Sequence, residues 1–329
     1  MTPALVAALR AAVGADRVHT DPTELQLYRS DASSMRGTAG VVVFPRTTAE
    51  VVGCVRAAVE HGVPFVPRGA GTGLAGGAVP LDDAVVIATT KMDRILSVDP
   101  VRRTAWVEPG VLNLDLTRHV TPLGLHFAPD PSSQQSCSLG GNVANNSGGP
   151  HCLSDGVTTS HVLAVEVVLS DGSVVLLGGE DPEPNGLDLR GAFIGSEGMF
   201  GVATRLLVRL TPTPPSVSTM LMDFDTVDDG ARAVSAIIAA GIVPAALEMM
   251  DRLCVQAVEA YIGAGLPLDA AAVLLVEVAG LRHGVAADTE RITEITRARG
   301  GRLVRVAVEE AERAVLLEGC KTVFGVLVR

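Results

Sequence analysis

The residues best suited to chemistry in this sequence form a glycine-rich loop that follows the apolar segment 63–67. The loop reads Arg68-Gly-Ala-Gly-Thr-Gly-Leu-Ala-Gly-Gly77. Glycines let successive backbone N–H groups point in one direction, and such a nest of donors binds an anion such as a pyrophosphate. Arg68 adds positive charge and Thr72 a hydroxyl donor. The alternative is a plain surface turn, but so many glycines cost conformational entropy unless a ligand approaches the backbone closely.

The same loop contains the string Gly71-x-Gly73-x-x-Gly76, which taken alone is a weak dinucleotide fingerprint. In a Rossmann turn the third glycine lies in a helix that opens immediately. Here Gly77 and then Pro80 follow, so no helix begins. The acidic residue at the expected spacing is Asp93, which lies in a polar turn rather than at the end of a strand. The pattern therefore disfavours an NAD-binding dehydrogenase.

Two further strips of small and polar residues accompany the loop. One combines Pro-Asp-Pro-Ser-Ser at 129–133 with Cys-Ser-Leu-Gly-Gly-Asn-Val-Ala-Asn-Asn-Ser-Gly-Gly at 137–149, and the other is Gly-Ser-Glu-Gly-Met-Phe-Gly at 195–201. A flat ring needs close backbone approach and a few hydrogen bonds to its polar edge, and these strips supply both. We predict that the three strips converge on one elongated slot.

In this order the strips RGAGTGLAGG, PDPSSQQSCSLGGNVANNSGG and GSEGMFGV resemble the FAD-linked oxidases of the vanillyl-alcohol-oxidase type, with their PCMH-type FAD-binding domain. The nearest branch comprises the FAD-binding subunits of glycolate oxidases and the FAD-dependent D-lactate or D-2-hydroxyacid dehydrogenases. The resemblance is dense over residues 41–209 and loose elsewhere. It implies FAD as the cofactor and oxidation of a 2-hydroxyacid, such as glycolate or D-lactate, to the 2-oxoacid by hydride transfer to the flavin.

The resemblance also implies roles for individual residues. The first strip would hold the FAD pyrophosphate with Arg68, Gly69, Ala70, Gly71, Thr72, Gly73, Leu74, Gly76 and Gly77. The second would line the flavin and its ribityl chain with Pro129, Asp130, Ser133, Cys137, Gly140, Gly141, Asn142, Asn145 and Gly148. The third would contact the adenosine part with Glu197, Gly201 and Val202. No residue is assigned a catalytic role and no metal site is predicted.

The elements that must position these strips mix strands and helices without strict alternation, which favours an α+β fold. We predict an N-terminal helical segment at 1–37 and a PCMH-type FAD-binding domain of two α+β subdomains at 38–212. A stiff linker, Thr211-Pro-Thr-Pro-Pro215, then leads to a partial ferredoxin-like substrate (cap) domain at 216–329.

In the resembled family the substrate domain continues beyond the point where this sequence stops, and that further part carries histidine-rich motifs. We therefore expect a chain truncated within its substrate domain. A noncatalytic flavin-binding subunit or an inactive truncated paralogue stays open as the alternative function. The histidines of the sequence are isolated, and we interpret His151, beside Cys152 and the second strip, as ordinary polar packing.

Composition limits the partners. The net charge is -11 and Lys and Arg do not cluster, so we predict no binding to nucleic acid. The five cysteines are scattered, which argues against a disulfide framework and suits the cytoplasm. The longest apolar stretch, 233–247, is interrupted by Ser235, Gly241 and Pro244, so we predict no membrane span. The resemblance implies an iron–sulfur electron-transfer subunit as a partner, through which the chain would reach the inner membrane peripherally.

The glycine loop predicts how the cofactor is held. Some relatives bind the flavin covalently through a histidine or cysteine in the first loop, whereas this loop offers only Ala70 and Thr72 at those places. We expect noncovalent FAD, so acid precipitation of the purified protein should leave the flavin absorbance in the supernatant. Absorbance that stays with the polypeptide would contradict this prediction.

Overall fold

The computed structural model describes residues 1–180 and 186–327, without the side chains of 318, 320 and 322–327. The chain forms two compact units. The first unit comprises Met1–Ala128, Ser133–Ser147 and Val157–Pro212, and the second comprises Pro129–Ser132, Gly148–Gly156 and Thr213–Arg329. The final passage between the units, at Pro212 and Thr213, lies inside the predicted proline-rich linker. Two short pieces of the second predicted strip belong to the second unit.

The elements are numbered in chain order. The strands are β1 Val18–His19, β2 Ala39–Val43, β3 Phe65–Arg68, β4 Ala84–Ala88, β5 Ile95–Asp99, β6 Thr104–Val107, β7 Leu125–His126, β8 Val162–Val168, β9 Val174–Gly178, β10 Val202–Arg209, β11 Thr211–Pro212, β12 Ser216–Phe224, β13 Ala246–Asp251, β14 Ala272–Gly280 and β15 Arg302–Ala307. The helices are α1 Pro3–Val13, α2 Pro22–Leu25, α3 Thr48–Glu60, α4 Asn113–Val120, α5 Leu139–Asn145, α6 Cys152–Asp155, α7 Leu189–Phe193, α8 Val227–Ala239, α9 Arg252–Ile262, α10 Arg282–Arg297 and α11 Glu310–Leu327.

The first sheet of the first unit has the strand order β1-β2-β4-β3. Strands β2 and β4 pair in parallel with Val43 opposite Ile87, and β3 pairs with β4 in parallel as well. The crossover from β2 to β3 is α3, because parallel strands need a connection that returns to the same end of the sheet. The glycine loop begins where β3 ends, at Arg68.

Helix α1 is part of the core of this subdomain. Its fully buried Leu9 and Val13 belong to the same apolar cluster as Val51 and Val55 of α3. Residues of the predicted N-terminal segment 1–37 therefore contribute to the first hydrophobic core rather than standing apart from it.

Thr47 and Glu50 at the start of α3 have the spacing of a capping box, which the structure forms only in part. The Thr47 hydroxyl accepts a hydrogen bond from the Glu50 N–H (3.2 Å), as an N-cap does. In a full capping box the Glu50 side chain would accept from the Thr47 N–H. It accepts instead from the Arg46 N–H (2.6 Å) and forms an ion pair with Arg17 (2.6 Å), which ties α3 to the segment after α1.

The second subdomain of the first unit is an antiparallel sheet of order β5-β6-β10-β8-β9. Strands β8 and β9 form a hairpin, with Val168 opposite Val174 around the polar turn at 170–173. Helices α4 and α5 contribute buried side chains to the core of this sheet. Members of this core are Leu116, Val120, Phe127, Leu139, Val143, Leu206 and Val208.

Helix α5 has little sign in the sequence. Helix α5 contains Gly140 and Gly141, and because glycine has a low helix propensity this segment looks like a loop in the sequence. Burial of Leu139 and Val143 provides the packing that stabilises it. Helix α11 begins at Glu310, and its Leu316 is buried in the core of the second unit.

The second unit contains an antiparallel sheet of order β13-β14-β12-β15 with helices on both faces. Alternate residues of β12 serve opposite faces, as strand geometry requires. Met220 and Met222 lie in the core shared with α8 and α10, whereas Leu221 lies in the core shared with α9 and α11. The predicted ferredoxin-like arrangement of sheet and helices is present, with a second helical layer added.

The shared core of α1 and α3 can be tested through the single tryptophan, Trp106 of β6, which reports on the first unit. Replacing Leu9 by alanine removes a fully buried side chain, so the free energy of unfolding should fall by about 3 kcal/mol. Urea unfolding followed by Trp106 fluorescence measures this. The exposed neighbour Arg10→Ala serves as the control, with a change within about 0.5 kcal/mol. An unchanged midpoint for Leu9→Ala would show that α1 is not part of this core.

Candidate functional site

The first and second strips meet at the start of α5. Ser138 caps this helix, since its hydroxyl accepts a hydrogen bond from the Gly141 N–H (3.3 Å). The glycine loop lies so close that a Cβ at Gly69 would collide with the Ser138 Oγ. Further along, a Cβ at Gly73 would lie 3.5 Å from the Asn145 Oδ1, which is ordinary contact distance. The loop therefore runs along α5 with side-chain-free backbone at its closest approach.

The third strip is hydrogen-bonded to the other end of the same helix. The Gly195 N–H donates to the Val143 carbonyl and the Glu197 N–H to the Ala144 carbonyl, both at 2.9 Å. Glu197 adopts a left-handed backbone with φ of 52°. Its side chain occupies the space that a Cβ at Gly77 would need, with the Glu197 Cβ only 2.7 Å away. The structure thus brings parts of all three strips together around α5.

Arg68 lies beneath the glycine loop as a buried cation, with 7% of its surface exposed. Its guanidinium donates to the Ala78 carbonyl (3.1 Å), stands 5.6 Å from the Tyr28 ring centre, and would collide with a Cβ at Gly71. Burial lowers the pKa of Arg68, against the opposing charge of Asp31. No ion pair to it occurs among the described residues. A buried guanidinium without a paired carboxylate is costly, so an anion bound in the loop would stabilise it.

The remaining loop residues are closer to solvent. Ala70 and Thr72 are half-buried, and Leu74 is exposed. Gly76 has a φ of 91° and lies against the Met35 side chain, so a larger residue would be strained there. The loop therefore presents accessible backbone without Cβ atoms above a buried cation. This arrangement fits a diphosphate.

Part of the second strip is used inside the fold. The Asn142 side chain donates to the Cys137 sulfur (3.4 Å) and accepts from the Asn113 amide (2.9 Å), and all three residues are buried. The Gly140 N–H donates to the Pro109 carbonyl (2.8 Å). These groups set the position of α5. Gly141 and Asn145 are the more accessible members of the helix.

The last members of the predicted set fall into three situations. Ser133 precedes α5 in the first unit, where its carbonyl accepts from the Cys137 N–H (2.8 Å). Gly201 has a φ of 147°, and Val202 pairs with Val168 in the sheet core, so packing alone explains both. Pro129, Asp130 and Gly148 belong to the second unit. Their lining of the flavin stays a prediction.

In the second unit, Asp130 forms an ion pair with His151 that sequence reasoning missed. The His151 Nδ1 lies 2.8 Å from Asp130, and its Nε2 lies 3.0 Å from Glu277 of β14. One sequence signal was an isolated histidine beside the second strip. The other was Glu277, the one charged residue of the otherwise apolar strand β14, but it follows 126 positions later and spacing along the chain does not pair the two.

Comparison with known proteins identifies the two parts of the chain. Residues 39–178 match the model of a FAD binding domain, and residues 213–329 match that of the C-terminal domain of FAD linked oxidases. The chain belongs to the FAD-linked oxidases. FAD is the cofactor of this family's first domain, and the predicted family and cofactor are confirmed.

The relatives of this FAD-linked oxidase include named enzymes. It is 43% identical over 324 residues to the glycolate oxidase subunit GlcD of Escherichia coli K12. The aligned region covers 98% of the chain and 65% of GlcD. It is 34% identical over 261 residues to a D-lactate dehydrogenase of Anaerostipes hadrus, covering 78% of the chain and 53% of the relative. The chain thus spans less than two thirds of the length of either relative.

A solved structure confirms the fold of this FAD-linked oxidase. The chain superimposes on the structure of p-cresol methylhydroxylase with bound substrate with a TM-score of 0.79 and 21% sequence identity. The match covers 93% of this chain and 66% of the p-cresol methylhydroxylase chain. The predicted α+β, PCMH-type architecture is therefore confirmed. Within residues 1–180 and 186–327, no helix is long and apolar enough to cross a membrane. The same residues contain no group of three histidine, cysteine or acidic side chains suited to a metal ion.

The contact between Gly77 and Glu197 can be tested by adding a single methyl group. In Gly77→Ala the new Cβ forces the third strip away from the glycine loop, and we expect FAD to bind about tenfold more weakly. Titration of the apoprotein with FAD, followed by flavin fluorescence, measures the Kd. Gly179→Ala is the matched control in the same unit, because a Cβ there meets no atom within 4 Å. Equal affinities for both variants would argue against contact between the strips.

Proposed function

We propose that this FAD-linked oxidase oxidises a 2-hydroxyacid, such as glycolate or D-lactate, to the corresponding 2-oxoacid. The observation that carries the proposal is the convergence of the glycine loop, α5 and the Glu197 strip next to the buried Arg68, in the unit that matches a FAD binding domain. The substrate class is supported by the names of the relatives, a glycolate oxidase subunit and a D-lactate dehydrogenase.

Most of the residues that would hold the cofactor lie in the first unit. The backbone N–H groups of the glycine loop would bind the pyrophosphate, and the Arg68 guanidinium beneath them would compensate its charge. The accessible Gly141 and Asn145 of α5 would offer close backbone approach and an amide to the flavin portion. Glu197 would contact the adenosine portion. No histidine or cysteine occurs in the loop, which supports noncovalent binding.

Each partner in the proposed reaction has a distinct task. When bound, the flavin supplies the acceptor for the hydride that leaves the α-carbon of the acid. The chain's own part is to fix that cofactor. The N-cap Ser138 and the buried amide of Asn142 hold α5, which packs against the loop and is hydrogen-bonded to the Glu197 strip. Fixed groups around a cofactor lower the reorganisation needed during reaction.

We also propose an iron–sulfur electron-transfer subunit as the partner that receives the electrons. The relative in Escherichia coli is named as a subunit of glycolate oxidase, which supports assembly with other chains. Through such a partner the protein would work in the cytoplasm, peripheral to the inner membrane.

The proposal is tested with the purified chain loaded with FAD under anaerobic conditions. Glycolate, D-lactate and D-2-hydroxyglutarate are added separately, and flavin absorbance and reduction of a dye acceptor are recorded. We expect at least one acid to bleach the flavin and reduce the dye. A chain that binds FAD but is bleached by none of them would instead be a noncatalytic flavin-binding subunit. A chain that does not bind added FAD would overturn both proposed functions.

Two arginine variants control this experiment. Arg68→Met removes the buried cation beneath the loop and should weaken FAD binding by about ten- to a hundredfold, so dye reduction is lost at low FAD concentration. Arg46→Met removes an exposed arginine of the same unit and should leave both FAD binding and dye reduction intact. Equal loss in both variants would point to general destabilisation rather than to the loop.

A further inference from the structure

The second unit is assembled from three stretches of chain that are far apart in sequence. Besides Thr213–Arg329 it contains the short pieces Pro129–Ser132 and Gly148–Gly156. Two pieces this short cannot form a hydrophobic core of their own. Side-chain contacts must therefore fix them to the sheet and helices of the main part.

One histidine connects all three stretches. The His151 Nδ1 lies 2.8 Å from the Asp130 Oδ2, and its Nε2 lies 3.0 Å from the Glu277 Oε1. Asp130 comes from the first short piece, His151 from the second, and Glu277 from β14. We refer to Asp130, His151 and Glu277 as the clasp.

The geometry of the clasp defines the protonation state of the imidazole. An ionised carboxylate only accepts hydrogen bonds, so a ring nitrogen facing one must carry a proton. Both ring nitrogens of His151 face carboxyl groups, and with both of these ionised the imidazole is in the imidazolium form. Burial opposes a charged imidazole, but the hydrogen bonds to Asp130 and Glu277 raise the pKa of His151 to about 10. His151 has no lone pair available and is therefore not a proton acceptor at neutral pH.

The carboxylates of the clasp are held ionised by neighbours from other elements. Burial would raise the pKa of Asp130, but His151 and Lys321 of α11, whose Nζ lies 3.0 Å away, lower it. Burial would likewise raise the pKa of Glu277, but it is lowered by His151 and by a hydrogen bond from the Thr219 hydroxyl (2.6 Å).

Two more charged groups face the clasp. The Arg313 Nη1 of α11 lies 3.8 Å from Glu277. Glu248 of β13 is half-buried, and burial together with the charge of Asp130 raises its pKa. On the α11 side the clasp therefore faces the cations Arg313 and Lys321. On the β13 side it faces Glu248, a carboxyl group whose pKa is raised. Removing the His151 cation would leave Asp130 and Glu277 without their shared partner.

Further contacts near the clasp join the two short pieces to each other and to the sheet. A Cβ at Gly149 would collide with the backbone carbonyl of Asp130, so the two pieces touch through bare backbone. The Gly149 N–H donates to the Cys152 sulfur (2.8 Å), and the Asp155 N–H donates to the His151 carbonyl (3.0 Å). The Ser154 hydroxyl donates to the Ala245 carbonyl just before β13 (3.2 Å). Helix α6 is thereby attached to the sheet beside the clasp.

We propose that His151 is a positioning residue, a cation that holds Pro129–Ser132 and Gly148–Gly156 in place against β14 and α11. It fixes the backbone of Pro129, Asp130 and Gly148 relative to the sheet of the second unit. This role goes beyond the proposed oxidation and holds whether or not the chain turns over an acid.

The pH dependence of the clasp has a definite sign. The pKa of His151 lies at about 10 in the folded unit, above the ordinary value of 6.5 expected once the pieces detach. The stabilisation is therefore fully present below pH 6.5 and is lost as the pH rises through 10. In this window, opening of the clasp should become about tenfold easier per pH unit.

The test is hydrogen exchange of the full chain, with the amides of Asp155 and Gly156 as reporters of α6. Exchange rates are corrected for the intrinsic rate at each pH. In His151→Gln we expect the protection factors at neutral pH to fall by about tenfold or more, because two buried carboxylates lose their shared cation. His151→Arg keeps a cation with several donors and should restore the protection. His283→Gln, an exposed histidine of α10 in the same unit, is the matched control and should match the wild type.

The pH series distinguishes positioning by charge from ordinary packing. Protection of the reporters in the wild type should decline above pH 6.5 by about tenfold per pH unit, whereas His151→Arg should show no such decline. The inference is overturned if His151→Gln keeps wild-type protection, or if the wild type and His151→Arg share one pH profile. If His151→Gln fails to fold, the comparison of wild type with His151→Arg still decides. Absence of FAD binding would refute the proposed function and leave this result untouched.

Discussion

The first unit depends on the close approach of bare backbone to a single short helix. Gly69 lies against the cap of α5, Gly77 lies against Glu197, and the Glu197 strip is hydrogen-bonded to the end of α5. A side chain at either glycine would separate the segments. The glycines are therefore determined by contact between three chain segments as much as by any ligand. An adenine dinucleotide is long, and a slot for it must be built from segments that are distant in sequence.

Charge complements this steric constraint. Arg68 ends β3 and places a buried guanidinium directly under the loop, where burial lowers its pKa and the described residues offer no ion pair. The loop thus combines oriented N–H groups with a fixed cation, and both favour a diphosphate for the same electrostatic reason. The second unit solves a similar problem differently, because there each buried charge of the clasp, including His151, has partners within the unit.

The sequence predicted the local elements with useful accuracy. The hairpin of β8 and β9 and the alternating strands and helices from β12 to β15 follow apolar periodicity and turn residues, which are local signals. Helix α5 was missed, since its glycines mask a helix that only the burial of Leu139 and Val143 stabilises. Convergence of the three strips was predicted from residue type and order, and parts of all three meet around α5 in the first unit.

What the sequence determined by itself is the set of backbone positions that tolerate close approach, and with them the family and the cofactor. Only the tertiary structure decided which of these positions share a unit: Asp130 and Gly148 belong to the second unit, whereas Ser133, Gly141 and Asn145 belong to the first. The His151 clasp also emerged only there. Pairing between residues as distant as His151 and Glu277 leaves no local pattern, because an ion pair depends on distance in space and not on spacing along the chain.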